Sequence, residues 1–534
     1  MNAIDAIETT RLERQTQLDS EKSHADRNRQ GQFATPPALA TEIVRESLQM
    51  ISPDEPIRFL DPAFGTGSFY SSLLRLLAPD RLKIAHGFEI DDRYGREARN
   101  LWASTQLRLS IADLFELEIP RATEEKSNLL VCNPPYVRHH HLQLQTKTRL
   151  QRLIAKHVGL RVNGLAGLYC YFILHAHNWL AEDGLACWLV PGEFMDVNYG
   201  KEIKRYLSEW VTLLRIHRFD VHDVQFDDAL VSSVVVWFKK SPPPKRGSVT
   251  LTFGGSISSP TNFTVLPLSD LKPDRKWSRL PTRLSSHDAP GSGITLSDLF
   301  QIKRGLATGA NSFFILSPVE IDRHGIPSEF LVPILPSPRY LDSDEVVADG
   351  SGNPVVDKKL FLLDCKLSEA NVNENHPKLR AYLETGRQKG IDRGYICTHR
   401  SPWYSQEVRP PSPLLCTYMG RSDTRSSRAF RFILNHSQAR AANVYLLLYP
   451  KPQLLKVIAE HPELLRVLWN TLNSMSIEML IQNGRSYGGG LHKLEPSELS
   501  HAPADDLLAI LPSTVISPDS QCDLFVDATD TGGS

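Results

Sequence analysis

Three acids and one asparagine occupy positions from which they could do chemistry. Asp61, Glu89 and Asp113 each follow a short apolar run, and a fourth run, Leu129-Leu130-Val131-Cys132, stops at Asn133-Pro134-Pro135-Tyr136. An apolar run bounded by prolines reads as a buried strand. The residues beyond Asn133 cannot be strand, because neither proline donates to a ladder and Pro135 pushes Pro134 towards an extended conformation. The result is a stiff loop at a strand's carboxyl end. Asn133 offers a side-chain acceptor, the Pro134 carbonyl has no helical partner, and Tyr136 presents a flat ring. Two acceptors beside an aromatic face suit a planar ligand that carries an amino group.

The elements that position these groups read as the nucleotide-binding half of a doubly wound α/β sheet. Ile57 to Leu60 is a strand, Asp61-Pro62-Ala63-Phe64-Gly65-Thr66-Gly67-Ser68-Phe69 a Gly-rich turn, and Leu73, Leu74 and Leu77 keep a helical spacing. Ligands of such sheets lie at the strands' carboxyl ends. The spacing is neither Gly-x-Gly-x-x-Gly nor Gly-Lys-Ser/Thr, which makes a dinucleotide or a triphosphate a poorer fit. Asp61 would repel phosphates and attract a cation. Lys83 to Phe88 ends in Glu89-Ile90-Asp91, placed to accept from ribose hydroxyls. Leu107 to Ile111 leads to Asp113, which could accept from an adenine amino group. Each acid alone reads as a solvated loop residue; their order along the chain is what counts. Upstream, Gly31-Gln32-Phe33-Ala34-Thr35-Pro36-Pro37 precedes a helix over Ala38 to Met50, with Leu39, Ile43, Val44 and Leu48 on one face.

Asn-Pro-Pro-Tyr after Asp-Pro-x-x-Gly-x-Gly-x-Phe resembles the gamma class of DNA adenine-N6 methyltransferases, the modification enzymes of type II restriction systems. The tetrapeptide also occurs in methyltransferases acting on protein glutamine. The resemblance implies S-adenosylmethionine as cofactor, held by Thr35, Asp61, Ala63, Gly65, Gly67, Glu89 and Asp113. It implies catalysis by Asn133, Pro134, Pro135 and Tyr136, with the target base flipped out and stacked on Tyr136. Tyr199, or Phe194 nearby, is the expected second aromatic wall. No metal is required. His139-His140-His141 do not make a metal site, since adjacent side chains diverge, and are expected in a loop near the substrate. Asp113 with Glu124-Glu125-Lys126 mimics a metal-dependent nuclease, but the intervening loop is too polar for the strand that such a site needs.

At 534 residues the chain should hold two or more domains, and its 41% hydrophobic fraction is ordinary for a soluble protein. No apolar run approaches the ~20 residues of a membrane span, the N-terminus does not read as a signal peptide, and the seven cysteines form no Cys-x-x-Cys pair. A cytoplasmic, nucleoid-associated bacterial protein without membrane contact is expected, working as a monomer. The expected division is a catalytic domain over 1–240, with a polar arm over 1–29 to which no chemistry is assigned, and a DNA target-recognition domain of α+β type over 248–534. Pro242-Pro243-Pro244 marks the linker.

The net charge of −1 is unevenly spread. Residues 378–440 carry twelve Lys or Arg against four acids, a net of +8, and no Lys or Arg follows Lys493. The basic stretch is the expected electrostatic footprint of double-stranded DNA. Leu299 to Phe314 and Gly484 to Leu491 resemble segments of target-recognition domains in large gamma-class enzymes, which implies DNA contacts from Arg304, Thr308, Asn311, Arg421, Arg485 and Tyr487. A cognate restriction endonuclease is then a functional partner. RNA adenine-N6 or protein-glutamine methylation uses the same chemistry, and a DNA-binding subunit without catalysis is the reading from another class. The intact cofactor signals disfavour the last, and about 300 C-terminal residues disfavour the protein substrate.

Overall fold

The computed structural model describes residues 3–220, 233–280, 294–421, 429–476, 480, 484–487, 491–508 and 510–511. Two compact units divide between Leu280 and Ile294. The first opens with α1 (Ala3–Ser20), α2 (His24–Gln30) and α3 (Pro37–Gln49), followed by β1 (Ile57–Asp61), α4 (Ser68–Leu76), β2 (Leu82–Glu89), α5 (Asp92–Leu101) and β3 (Leu107–Ile111). After β4 (Ser127–Cys132) come α6 (Leu144–Val158), α7 (Leu168–Ala176), β5 (Leu180–Pro191), α8 (Lys201–Arg205), β6 (Thr212–Arg218), β7 (Ser233–Lys239), β8 (Ser248–Gly255) and β9 (Pro260–Pro267).

These strands form one nine-stranded sheet in the order β3-β2-β1-β4-β5-β7-β6-β8-β9. β3 through β5 run parallel, and β7 enters antiparallel between β5 and β6. The strand order reverses between β1 and β4, so the chain leaves a crevice outside their carboxyl ends, where such sheets bind ligands. Both faces are buried, as a largely parallel sheet requires. Leu60, Leu130 and Val236 point into one core with α6 and α7, while Phe59, Leu129, Val131 and Trp237 point into the other with α3 and α4.

The domain boundary expected at residues 240–248 is corrected. β8 pairs parallel with β6 and β9 pairs antiparallel with β8, so the sheet continues through the proline-rich stretch, which is a turn within the unit. Val249 and Leu251 face the core in the alternation of a strand. α7 is buried on all sides and ends at Ala176, and β5 follows from Leu180.

The second unit centres on a five-stranded, mostly antiparallel sheet in which Leu414–Thr417 lies between Tyr445–Pro450 and Phe432–Asn435. Helices Pro452–Glu460 and Leu464–Ser474 supply Leu454, Leu468 and Leu472 to the core over it. No described helix is long and apolar enough to cross a membrane.

Candidate active site

A cavity of about 620 Å³ lies at the carboxyl ends of β1 to β4. Asp61, Ala63 and Gly65 line it from the β1 turn, Glu89 and Ile90 from β2, Asp113 and Phe115 from β3, Asn133 and Pro135 from β4, and Phe33 and Thr35 from the segment before α3. Gly67 does not face the cavity but shapes the turn from behind. Its φ is +92°, and a Cβ there would stand 2.7 Å from both the Phe64 ring and the Trp102 indole nitrogen. Gly65, at φ +55°, has nothing within 4 Å of its absent Cβ, so its backbone is bare towards the cavity.

The acids differ in what surrounds them. Asp61 is 1% exposed and accepts the Ala63 amide at 3.2 Å. Burial, reinforced by the neighbouring Glu89 carboxylate, pushes its carboxyl up to about 8. Glu89 accepts the amides of Gly65 and Asp91, both at 2.8 Å, and burial raises its carboxyl as well. Asp91 is half-buried; burial works to raise its carboxyl, but hydrogen bonds from Lys22 and Arg93 hold it at about 2. Asp113 accepts the Phe115 amide and pairs with Arg149 at 3.3 Å.

A raised folded-state value gives a stability term of definite sign. Protonated Asp61 favours the fold fully below the unfolded carboxyl value, near 4, and that contribution is lost as pH rises towards about 8. The thermal midpoint of Asp61→Asn should therefore exceed that of the wild type by a margin that grows between pH 4 and pH 8. A margin independent of pH would contradict it.

At the catalytic loop, the Asn133 amide nitrogen donates to the Phe33 carbonyl at 3.0 Å and to Thr35 Oγ1 at 3.1 Å. The carbonyl can only accept, which fixes which way the carboxamide faces. Asn133 Oδ1 is left buried with no partner among the described residues. An enclosed acceptor without a donor is costly and uncommon. It marks where a donor on a ligand would sit.

Tyr136 is not on the cavity wall as expected. It is 6% exposed, its hydroxyl donates to the Leu189 carbonyl at 3.1 Å, and Phe33 packs on it with ring centroids 5.7 Å apart. Tyr199 is corrected as its partner wall. Half-buried, it donates to Glu193 Oε2 at 2.8 Å and packs against the core on the opposite face of the sheet from Tyr136. Phe194 is fully buried there too.

The arm, to which the sequence alone assigned no chemistry, walls one side of the cavity with Arg11, Gln15, Asp19 and Arg29. Arg11, 1% exposed, binds both Glu8 oxygens at 2.7 Å and donates to Thr66 Oγ1 of the Gly-rich turn. Asp19 accepts the Tyr94 hydroxyl at 2.6 Å, and Lys22 donates to Asp91 at 2.7 Å. Ile90 was also missed. It lines the cavity yet is 67% exposed, an apolar face left without cover. The signal available for it was an Ile directly after a strand-end acid. His141 of the histidine run reaches the cavity wall. Residues 137–161 contain six Lys or Arg and no acid, a signal passed over in favour of the later basic stretch.

In the second unit five of the twelve basic residues of that later stretch are held by the fold. Arg387 pairs with Glu369, Arg409 with Glu407, Arg431 with Asp344 and Arg440 with Asp364, while Arg400 donates to the carbonyls of Ala307 and Thr308. Thr308 is buried, donates to Asn311 Oδ1 and accepts the Ala310 amide, so it shapes a turn, while Asn311 itself is exposed. Arg304 is exposed, donating to the Asn443 carbonyl with its guanidinium 3.9 Å from the Tyr418 ring centroid. Arg421 is exposed at a strand end. The side chains of Arg485 and Tyr487 lie outside the described residues. Arg440→Ala should cost this unit about 3–5 kcal/mol in denaturant unfolding, because it strands the buried Asp364 carboxylate. A charge serving only the surface would cost under about 0.5 kcal/mol.

Comparison with known proteins gives a match for each half. Residues 83–225 match the family described as Eco57I restriction-modification methylase, and residues 284–520 match the C-terminal domain of type II methyltransferase M.Eco57I. Type II methyltransferase M.XamI of Xanthomonas campestris pv. amaranthicola is 27% identical over 473 residues, covering 86% of this chain and 82% of that protein. Type II methyltransferase M.AccI of Acinetobacter calcoaceticus is 24% identical over 461 residues, covering 84% and 81%. Among solved structures, the type IIL restriction-modification enzyme MmeI in complex with DNA shares the fold with a TM-score of 0.50 at 11% identity. That match covers 78% of this chain and 60% of the longer enzyme.

Proposed function

We propose that this chain is a type II restriction-modification methyltransferase like those of the Eco57I family whose models it matches, and that it moves a methyl group from S-adenosylmethionine to N6 of an adenine flipped out of double-stranded DNA, protecting that DNA from a cognate restriction endonuclease. The observation that carries the reading is the orphaned, orientation-fixed Asn133 Oδ1 at the edge of a cavity walled by a bare Gly turn and three strand-end acids.

The residues present fit the cofactor. Asp61 suits a cationic ammonium, Gly65 admits close approach, and Glu89 keeps lone pairs for ribose hydroxyls beside its two backbone donors. Asp113 would accept from the adenine amine, with Ile90 and Phe115 as apolar cover. When bound, the cofactor supplies an electrophilic methyl on a sulfonium.

The target amine is a poor nucleophile, because its lone pair is delocalised into the ring, and in a duplex it is also paired. The base must leave the stack, which costs a few kcal/mol. Asn133 Oδ1 and the Pro134 carbonyl then accept the two N6 protons and draw the nitrogen towards pyramidal geometry. Positive charge grows on that nitrogen during transfer, so fixed acceptors stabilise the transition state more than the ground state. Neither oxygen is basic enough to keep a proton, and the one displaced passes to water. Tyr136 meets the base only after the Phe33 ring turns aside, while the Phe33 carbonyl keeps its hold on Asn133. The acid-free run over 137–161, which directly follows the catalytic loop, favours a polyanionic substrate.

The test is transfer of labelled methyl to unmethylated duplex DNA, with RNA and total protein as competing acceptors. N6-methyladenine in the DNA is expected. Label on RNA or on glutamine would sink the DNA reading.

A further inference from the structure

Resting on that cofactor reading, we propose that Arg29 of the N-terminal arm holds the cofactor's carboxylate. Charge balance inside the cavity requires a cation for that group. The cavity wall carries the carboxyls of Asp19, Asp61, Glu89 and Asp113, which whether charged or protonated offer a bound carboxylate no opposite charge. Three arginines share that wall, and two are already occupied. Arg11 spends its guanidinium on both Glu8 oxygens and on Thr66, and Arg149 pairs with Asp113 and Glu116. Lys22 nearby is committed to Asp91. Arg29 lines the cavity, is exposed, and makes no hydrogen bond or ion pair among the described residues.

Its place in the chain makes it more than a loose surface charge. It stands in the last turn of α2, two residues before Gly31, whose carbonyl accepts the Tyr136 amide at 2.9 Å. A Cβ on Gly31 would fall 2.3 Å from that amide nitrogen, so the arm is pinned to the catalytic loop immediately beyond Arg29. A planar guanidinium there can take a carboxylate in the two-pronged geometry that an ammonium side chain cannot. Asp61 and Arg29 would then read the two ends of an amino acid.

The experiment measures equilibrium binding to the full chain of S-adenosylmethionine and of its decarboxylated form, which keeps the sulfonium and the ammonium. Arg29→Ala should weaken S-adenosylmethionine about 10- to 100-fold, the range for a charge-assisted contact, and leave the decarboxylated form unchanged. Arg29→Lys should recover part of the loss. The thermal midpoint of each ligand-free variant should match the wild type, because Arg29 bonds to nothing among the described residues. Equal weakening of both ligands, or of neither, overturns the proposal. So does a variant that loses only DNA affinity, which would assign Arg29 to a phosphate. Wild-type protein that binds neither ligand would instead refute the cofactor reading itself.

Discussion

Asn133→Ala is expected to lower kcat for methyl transfer about 10²- to 10³-fold, the range seen when one preorganised group at a developing charge is removed. The loss should fall on kcat more than on DNA affinity, since the acceptor matters most while charge is growing on the nitrogen. Asn133 also ties the catalytic loop to Phe33 and Thr35, so a second variant separates the two roles. Asn133→Asp keeps an acceptor but sets an oxygen against the Phe33 carbonyl. Burial there raises the new carboxyl, and only its protonated form can donate to Phe33. Its activity should therefore be present at low pH and lost as pH rises through that raised value, whereas the alanine variant should show no such limb. Single-turnover rates across pH decide the matter; an alanine variant within a few-fold of wild type would falsify the mechanism.

Gly67→Val should abolish cofactor binding and destabilise the first unit by about 2–5 kcal/mol. A side chain at φ +92° carries roughly 1–2 kcal/mol of backbone strain. Overpacking adds about 1–3 kcal/mol, because the new Cβ meets Phe64 and Trp102 at 2.7 Å. Trp102 cannot retreat cheaply: it is 1% exposed and its indole N–H donates to the Thr66 carbonyl at 2.9 Å. Gly65→Ala provides the contrast. Nothing surrounds its missing Cβ, so the fold should lose only the backbone strain, while the methyl occupies cofactor space. Titration calorimetry and thermal melts on the pair should show one variant failing in both assays and the other mainly in binding.

The strand ends were legible because each combines a short apolar run with a residue that a solvated loop explains less well once four occur in order. Asp61, Gly65, Glu89, Asp113 and Asn133 all stand around one cavity. The arm was not legible, because the residues that α1 buries are Glu8 and Arg11. A helix that docks through an ion pair shows no apolar stripe. The boundary was misplaced because three prolines outweighed the alternation of Val249, Leu251 and Phe253. Tyr199 failed for a topological reason: sequence spacing does not say on which side of a sheet a ring will lie. How much of the basic stretch is free was not legible, because sequence charge does not reveal partners such as Glu369, Asp344 and Asp364, which lie far away in the chain.

The bond from Asn133 to Phe33 spans 100 residues, and this bears on when the molecule becomes competent during synthesis. At roughly 5–20 residues per second, the nascent arm waits roughly 5–20 s for the loop that clamps it. The Gly-rich turn is complete well before that, yet half of its enclosure is still missing. Cofactor capture on the ribosome is thus timed by the emergence of the Asn133 loop, well after the Gly-rich turn has been made.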